Sequence, residues 1–548
     1  MKKWMSAIAL MVFMTAGLGA CGKAEGDESK TDVANIGTEP VVTTETSEMT
    51  ETSETAENIS ADIVSTSGRI IYAGETYTWQ EITITIPEAW TGKYIIKELE
   101  NGNGFSIYQK ASVEKDENFG FLCSISRAME YWNYGAGETL VAYTDDGTLY
   151  YLQQPTDVTC YLEDEAVMQE YSSMIGQVAW LAGGMQIAAD NVHFDVDQYE
   201  LPVSSIMVLE EDQVMNLSDN ELWIARNEIY ARHGRTFKNE YLQSYFNSCS
   251  WYQPIEGKTD VAESELSEIE RTNIDLIVAA EEAFEKKHPY PKQYAVGTTV
   301  SEPLQGDGTK QKIIYETSID GDNWEHTSIL TIDGKQYDLD DYITMFSPVQ
   351  DVFYITDIAE SDMIEYDDGL EIAILDDGPS DDPVTHFFKY DGDLHYVGVV
   401  EGYPFEDYGN GIQNKDQKTG INGFTHFNSV IGTGRTDLIE TAYVDTYYWY
   451  DRNEWSIKQM DIGFNKYKWH RPHELYVDIP VYFSMDTESP MLTMPAQEEV
   501  YFIETDMEEW IFVRGKDGTQ GYIQVKDGNV QNVGAPAEEV FSDLYFFG

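Results

Sequence analysis

Basic residues are scarce: 34 Lys and Arg stand against 98 Asp and Glu, a formal net charge of −64. Such a surface excludes electrostatic nucleic-acid binding, which needs cations to displace phosphate counterions, and offers nothing to anionic lipid headgroups. Cysteine is scarcer still, with four in 548 residues. Setting Cys21 apart leaves Cys123, Cys160 and Cys249, so at most one internal disulfide can form. Cys123 and Cys160 fall in two strand-like runs and are the candidate pair. Cys249 reads as a buried free thiol. No C-x-x-C spacing occurs, and the nine His residues are scattered. Only His470-Arg471-Pro472-His473 offers a local pair, and its proline breaks helical presentation of two metal ligands. Walker and G-x-G-x-x-G loops, G-x-S-x-G and H-E-x-x-H are missing as well. The chain therefore reads as non-catalytic, with no metal and no cofactor.

Long apolar runs are missing but for one. Lys2 and Lys3 precede the apolar stretch Trp4 to Gly17, and Leu18-Gly19-Ala20-Cys21 follows. This is the layout of a secretory signal, too short for an ordinary transmembrane helix. The L-G-A-C string resembles the lipobox of bacterial lipoproteins. The resemblance implies that residues 1–20 are a signal peptide and that Cys21 is acylated. The mature chain would then sit on the extracytoplasmic face of the cell membrane. Each buried methylene adds about 0.8 kcal/mol, so two or more acyl chains hold firmly. Residues 21–67 follow, rich in Thr, Ser and Glu as in "TTETSEMTETSETAE". With little to bury, they are expected to be a disordered spacer that gives the folded part reach.

Residues 68–200 turn globular. Ile82, Ile84 and Ile86 alternate with Thr, the pattern of a half-buried strand, and Pro87 follows. Further strand-like runs lie at Tyr94–Glu98, 104–108, 120–126, 140–143 and 149–152. Val167, Met168, Tyr171, Ile175, Val178 and Leu181 share a helical face. The expectation is an α+β domain: an antiparallel sheet closed by one helix.

Residues 209–288 read as helical. Ser218-Asp219-Asn220-Glu221 is a capping box, and Leu222, Ala225 and Ile229 share one face. Gly234 stands where a left-handed C-terminal cap is needed. A second helix is expected over Tyr241–Phe246 and a third from Leu266 to Phe284. The string "LSDNELWIARNEIYARHGRTFKNEYLQSYFNSCSWYQP" resembles the YARHG domain, named from the residues that are here Tyr230 to Gly234. The resemblance implies an exported bacterial protein and no defined reaction. Arg226, Glu228, Arg232 and His233 form a polar cluster at the helix end. They offer either a ligand or wall contact, with Arg226, Arg232 and His233 as its binding residues, or a structural hydrogen-bond network.

Residues 289–474 alternate Val, Ile, Tyr and Phe between Gly and Asp turns, an all-β pattern. Segments such as "HFFKYDGDLHYVGVV" resemble the VCBS or FG-GAP repeats of β-propellers, which often carry a calcium loop. Asp307 and the group Asp357, Asp362, Asp367, Asp368 and Glu371 lack the alternating ligand spacing of such a loop, so solvated acidic turns are expected. Residues 475–548 resemble a bacterial SH3-like barrel. Trp510 to Arg514 would be one strand, Lys516-Asp517-Gly518 its turn, and Gly521-Tyr522-Ile523 the return. The resemblance implies an aromatic groove at Trp510 and Tyr522, against the alternative that both complete a small core.

The whole then reads as a lipid-anchored extracytoplasmic protein of interaction modules, its partner cell-wall peptide or glycan or another envelope protein. The alternatives are a solute-binding or sensory surface lipoprotein, and a hydrolase with an unrecognised site.

Overall fold

The computed structural model describes residues 69–131, 137–215, 217–287, 289–320, 325–343, 352–358, 369–377, 383–402, 404, 429–451 and 453–546. The signal-like segment, Cys21 and the Thr/Ser/Glu stretch lie outside these residues.

The Ile/Thr alternation forms strand Ile82–Pro87, paired antiparallel with Gly74–Trp79. Beside it lies a six-stranded sheet in the order Tyr94–Glu98, Gly104–Gln109, Phe121–Ala128, Leu149–Gln153, Glu138–Thr144, Val192–His193. Helices α1 (Lys110–Lys115), α2 (Glu165–Ile175) and α3 (Val178–Gly183) accompany it. One helix was expected where α2 and α3 stand; the chain leaves α2 at Gly176, because glycine is a poor helix-interior residue. One sheet face packs Phe105, Ile107, Ile125 and Leu152 against Ile84, Trp90, Met174 and Leu181.

Cys123 and Cys160 both lie in this core, yet both are free thiols. The candidate disulfide is absent from the structure. Cys160 sits in a bend rather than a strand, and apolar burial pushes the Cys123 thiol well above its ordinary range. Cys249 is also buried and free.

The other face of the sheet is covered too. Leu140, Tyr143, Leu149 and Tyr151 share a core with Leu201, Val203, Leu222, Ala225, Ile229 and Ile277. The α+β and helical units are therefore fused, and the segment 196–209 is packed between them. Helices α4 (Glu211–Val214), α5 (Asp219–Arg232), α6 (Glu240–Asn247) and α7 (Glu268–Lys287) complete the helical unit.

The β-rich region is three antiparallel sheets. A four-stranded sheet runs Val300–Glu302, Gln311–Asp320, Glu325–Ile332, Lys335–Asp338. A five-stranded sheet follows: Lys292–Ala295, Val352–Thr356, Glu371–Asp377, Pro383–Tyr390, Leu394–Glu401. A three-stranded sheet contains Ser429–Thr436, Ala442–Asp451 and Ser456–Met460. The five-stranded sheet lies between the others. Phe353, Ile355, Ile372 and Ile374 pack on Ile313, Tyr315 and Leu330, while Tyr354, Ala373, Leu375 and Phe387 pack on Val430, Tyr448 and Tyr450. Its strands read as near-continuous apolar runs because both faces are covered. The described residues form layers, without the closed ring of a propeller.

The C-terminal sheet follows the path Asn465–Lys466, Glu499–Thr505, Trp510–Gly515, Gln520–Lys526, Ile479–Tyr482, Met491–Met494, and Pro472–Glu474 also pairs with Glu499–Thr505. The unit thus begins before residue 475, and no closed barrel is formed among the described residues. One face buries Val500, Phe502, Ile511, Val513, Ile523 and Phe541, and it reaches Ile70 of the N-terminal unit. Among the described residues, no helix is long and apolar enough to cross a membrane.

Candidate functional site

Helix α5 begins as its sequence requires. Ser218 Oγ accepts from the Glu221 amide at 3.3 Å, and the Glu221 carboxylate accepts from the Ser218 amide at 2.9 Å. At the other end Gly234 has φ +77°. Its amide donates to Ala231 O at 2.8 Å, and the Arg235 amide reaches Tyr230 O at 3.4 Å. These two bonds make a Schellman cap.

Between the caps, the charged side chains turn inward. Arg232 donates through Nη1 to Ser204 Oγ (2.7 Å) and Ser205 Oγ (3.1 Å), and through Nη2 to Leu201 O (3.2 Å) and Pro202 O (3.3 Å). Its guanidinium lies over the Tyr199 ring at 4.7 Å, and Tyr199 stacks on Trp251 at 4.6 Å. Glu228 is fully buried and accepts from the amides of Glu200 (2.6 Å) and Leu201 (3.2 Å). Asn273 of α7 accepts from the Leu209 amide and donates to Ser204 O and Met207 O. Three polar side chains thus satisfy an irregular, buried backbone segment that lacks strand or helix partners of its own.

The remaining groups tie α5 to α7. Arg226 Nε pairs with the Glu281 carboxylate at 3.0 Å. His233 Nε2 lies 3.1 Å from Glu270 Oε1, and Glu270 accepts from the Ser267 amide at 2.8 Å. Burial would raise the Glu270 pKa, but the Ser267 amide, the Ser205 hydroxyl and His233 together outweigh it and hold the carboxyl below its ordinary value. Of the binding residues expected from sequence, Arg226, Arg232 and His233 each turn a polar group to a different partner inside the domain: Glu281, the segment 201–205 and Glu270 respectively. Glu270, Glu281 and Asn273 were missed. Ser267-x-x-Glu270, a second capping box, was a legible signal for the first of them.

The aromatic half of the motif makes its own cluster: Trp223, Leu242, Phe246, Cys249 and Tyr252, with Phe237, Tyr245 and Trp251 beside them. It docks on the C-terminal sheet. Lys516 Nζ donates to Asn247 O (2.8 Å), the last carbonyl of α6, and to Cys249 O (2.9 Å) just beyond it, where a cation is favoured. Ser244 Oγ donates to His470 O at 3.0 Å, and Gln520 Nε2 donates to Asp197 Oδ2 at 2.9 Å.

The groove expected at Trp510 and Tyr522 is filled by neighbouring side chains of the C-terminal unit itself. Trp510 and Tyr522 are 7% and 8% exposed and pack with Phe464, Tyr501, Ile503 and Phe512. They form a second core on the outer face of the sheet, not an open aromatic groove. A strand covered on both faces cannot show its aromatics to a ligand.

The other sequence candidates resolve simply. Asp307 accepts from the Thr309 amide within its own turn. Glu371 is fully buried and paired with Lys389 at 2.8 Å, so it is no solvated turn residue. Asp362, Asp367 and Asp368 lie outside the described residues. His470 Nδ1 faces Phe502 O, and His473 Nδ1 faces Ser542 O. The two rings serve different partners, and among the described residues no group of three or more His, Cys, Asp or Glu is placed to hold a metal.

Searches of curated proteins and of solved structures gave no match. The domain family comparison gave one: residues 197–282, which include the clamped segment before α5, match the YARHG domain.

Proposed function

We propose that the chain is a non-catalytic, lipid-anchored extracytoplasmic protein whose packed domains contact cell-wall material or another envelope protein. The observation that carries the reading is the string Leu18-Gly19-Ala20-Cys21 behind Lys2, Lys3 and a run that is almost all apolar and holds no acid. The acidic spacer after Cys21 suits a body held away from the bilayer, and the YARHG match is consistent with export. The inward-turned polar groups of the YARHG unit support a structural role for its signature, and the fused cores support a rigid scaffold. Trp510 and Tyr522 take no part in this reading.

Labelling cells with an alkyne fatty acid tests the anchor. The expected outcome is a labelled, membrane-bound protein, with both properties lost in Cys21→Ala. Unchanged labelling in that variant would end the proposal. Sedimentation of the purified chain with sacculi then distinguishes a wall partner from a protein partner.

A further inference from the structure

Residues 541–545 form a strap between two sheets. The Ser542 amide donates to Glu474 O at 2.9 Å and the Tyr476 amide to Val540 O at 2.8 Å, so the strap begins along the edge of Pro472–Glu474. It ends just ahead of strand Ala442–Asp451. There the Thr441 amide donates to Tyr545 O at 2.8 Å, and the Tyr545 amide to Glu440 Oε2 at 3.0 Å. Both ends converge on one buried pair. His473 is 1% exposed and Glu440 4%. His473 Nδ1 lies 2.9 Å from Ser542 O, and its Nε2 lies 3.4 Å from Glu440 Oε1 without a hydrogen bond. A carbonyl only accepts, so Nδ1 carries a proton. Nε2 then meets the carboxylate either as a second acceptor or as a second donor. Two acceptors facing each other out of water repel; one further proton turns the contact into a charge-assisted bond.

The other charged or titratable groups of the surrounding elements are engaged or turned away. Asp437 pairs with Arg435 at 3.1 Å, and Arg471 lies over the Tyr545 ring at 4.9 Å. Glu474 and its cross-strand partner Glu499 stand one register position on, where side chains take the opposite face. His470 Nδ1 faces Phe502 O, and Asp543 is exposed. Burial, and then the Glu440 carboxylate, hold the Tyr467 phenol well above its ordinary range, so it adds no charge. We propose that His473 and Glu440 form a proton-dependent latch: one proton between Nε2 and Oε1 holds the strap closed, and its loss opens it. The titration belongs to the pair, whichever atom carries the proton. Where an exposed imidazole is already neutral, the closed pair still holds this proton. The closed strap then binds more protons than the open one, so closure is favoured at low pH and lost as pH rises. Opening uncovers the edge of Pro472–Glu474, and a bare strand edge is a template for pairing with another chain.

The test is amide hydrogen exchange of the full chain in detergent, read by mass spectrometry on peptides covering 440–446 and 540–546, from about pH 6 to about pH 9. Protection is taken relative to the intrinsic exchange rate at each pH, so the chemistry of exchange cancels. Protection of the two peptides is expected to fall together, by up to about tenfold per pH unit for one linked proton. A peptide covering Ile82–Pro87 is expected to keep its protection throughout. Glu440→Gln sets an amide N–H against a neutral Nε2 and keeps an oxygen for the Tyr545 amide. It is expected to hold the strap closed with no pH dependence. His473→Gln, which cannot gain a proton, is expected to lose the pH dependence as well. Protection that does not change with pH, or a Glu440→Gln chain with the native slope, would overturn the proposal. So would loss of protection at Ile82–Pro87 in step with the strap, which would mean general unfolding. Cys21→Ala leaves this exchange unaffected, so the anchor and the latch fail separately.

Discussion

Arg232 shows how one side chain can be read correctly as important and wrongly as available. Its guanidinium makes four hydrogen bonds to the segment 201–205 and lies over Tyr199. Lysine offers a point charge on a flexible stem and cannot reproduce that fork. Arg232→Lys is expected to destabilise the chain by roughly 2–4 kcal/mol, measured by urea unfolding, because buried carbonyls lose their donors. His470 makes a second residue-scale prediction. Burial lowers its pKa from 6.5 to about 4, against the raising effect of Phe502 O. The unfolded chain then binds more protons than the folded one between these values, so stability falls as pH drops from 6.5 towards 4. The loss reaches about 2 kcal/mol at most by pH 5. Carboxylates held below their ordinary values, such as Glu270, act at lower pH. Unfolding curves at pH 7 and pH 5 are expected to differ more for the native chain than for His470→Gln. Equal pH sensitivity in the two would remove His470 from the account.

Among the elements, the helices were the more legible because their ends carry local chemistry. Ser218 and Gly234 bracket α5 at its observed ends, Asp219 and Arg232. The alternating strand at Ile82 was equally clear. Gly234 also bears a second constraint that only packing reveals: a Cβ there would lie 2.7 Å from Ile255 Cγ1. Gly234→Val is therefore expected to cost at least about 2 kcal/mol, combining left-handed strain with that clash. His233→Ala, which loses the Glu270 contact, is expected to cost about 1 kcal/mol. Thermal melting of both variants checks the order; a milder Gly234→Val would mean that the 253–255 loop yields. Strand pairing was less legible. Trp510–Gly515 is buried at every position, so its apolar run does not say which face is the core, or that both are.

At the scale of the molecule, the units are not beads on a string. The helical unit shares a core with the six-stranded sheet, and the C-terminal sheet packs on both. A fragment 209–288 lacks Tyr199, Leu201 and Val203, and it leaves Arg232 and Glu228 without the segment they hold. It is expected to show no cooperative thermal transition by circular dichroism. A sharp melt would show that the shared core is dispensable. By itself the sequence determined the lipobox-like string Leu18-Gly19-Ala20-Cys21, the acidic charge, the helix caps and the YARHG motif, because each is read from the residues themselves or from neighbours within a few positions. Tertiary structure alone decided that Cys123 and Cys160 stay free, that Glu371 is buried against Lys389, and that Trp510 and Tyr522 are covered. Each of those outcomes depends on which distant surface removes a side chain from water, and that is a property of packing rather than of local pattern.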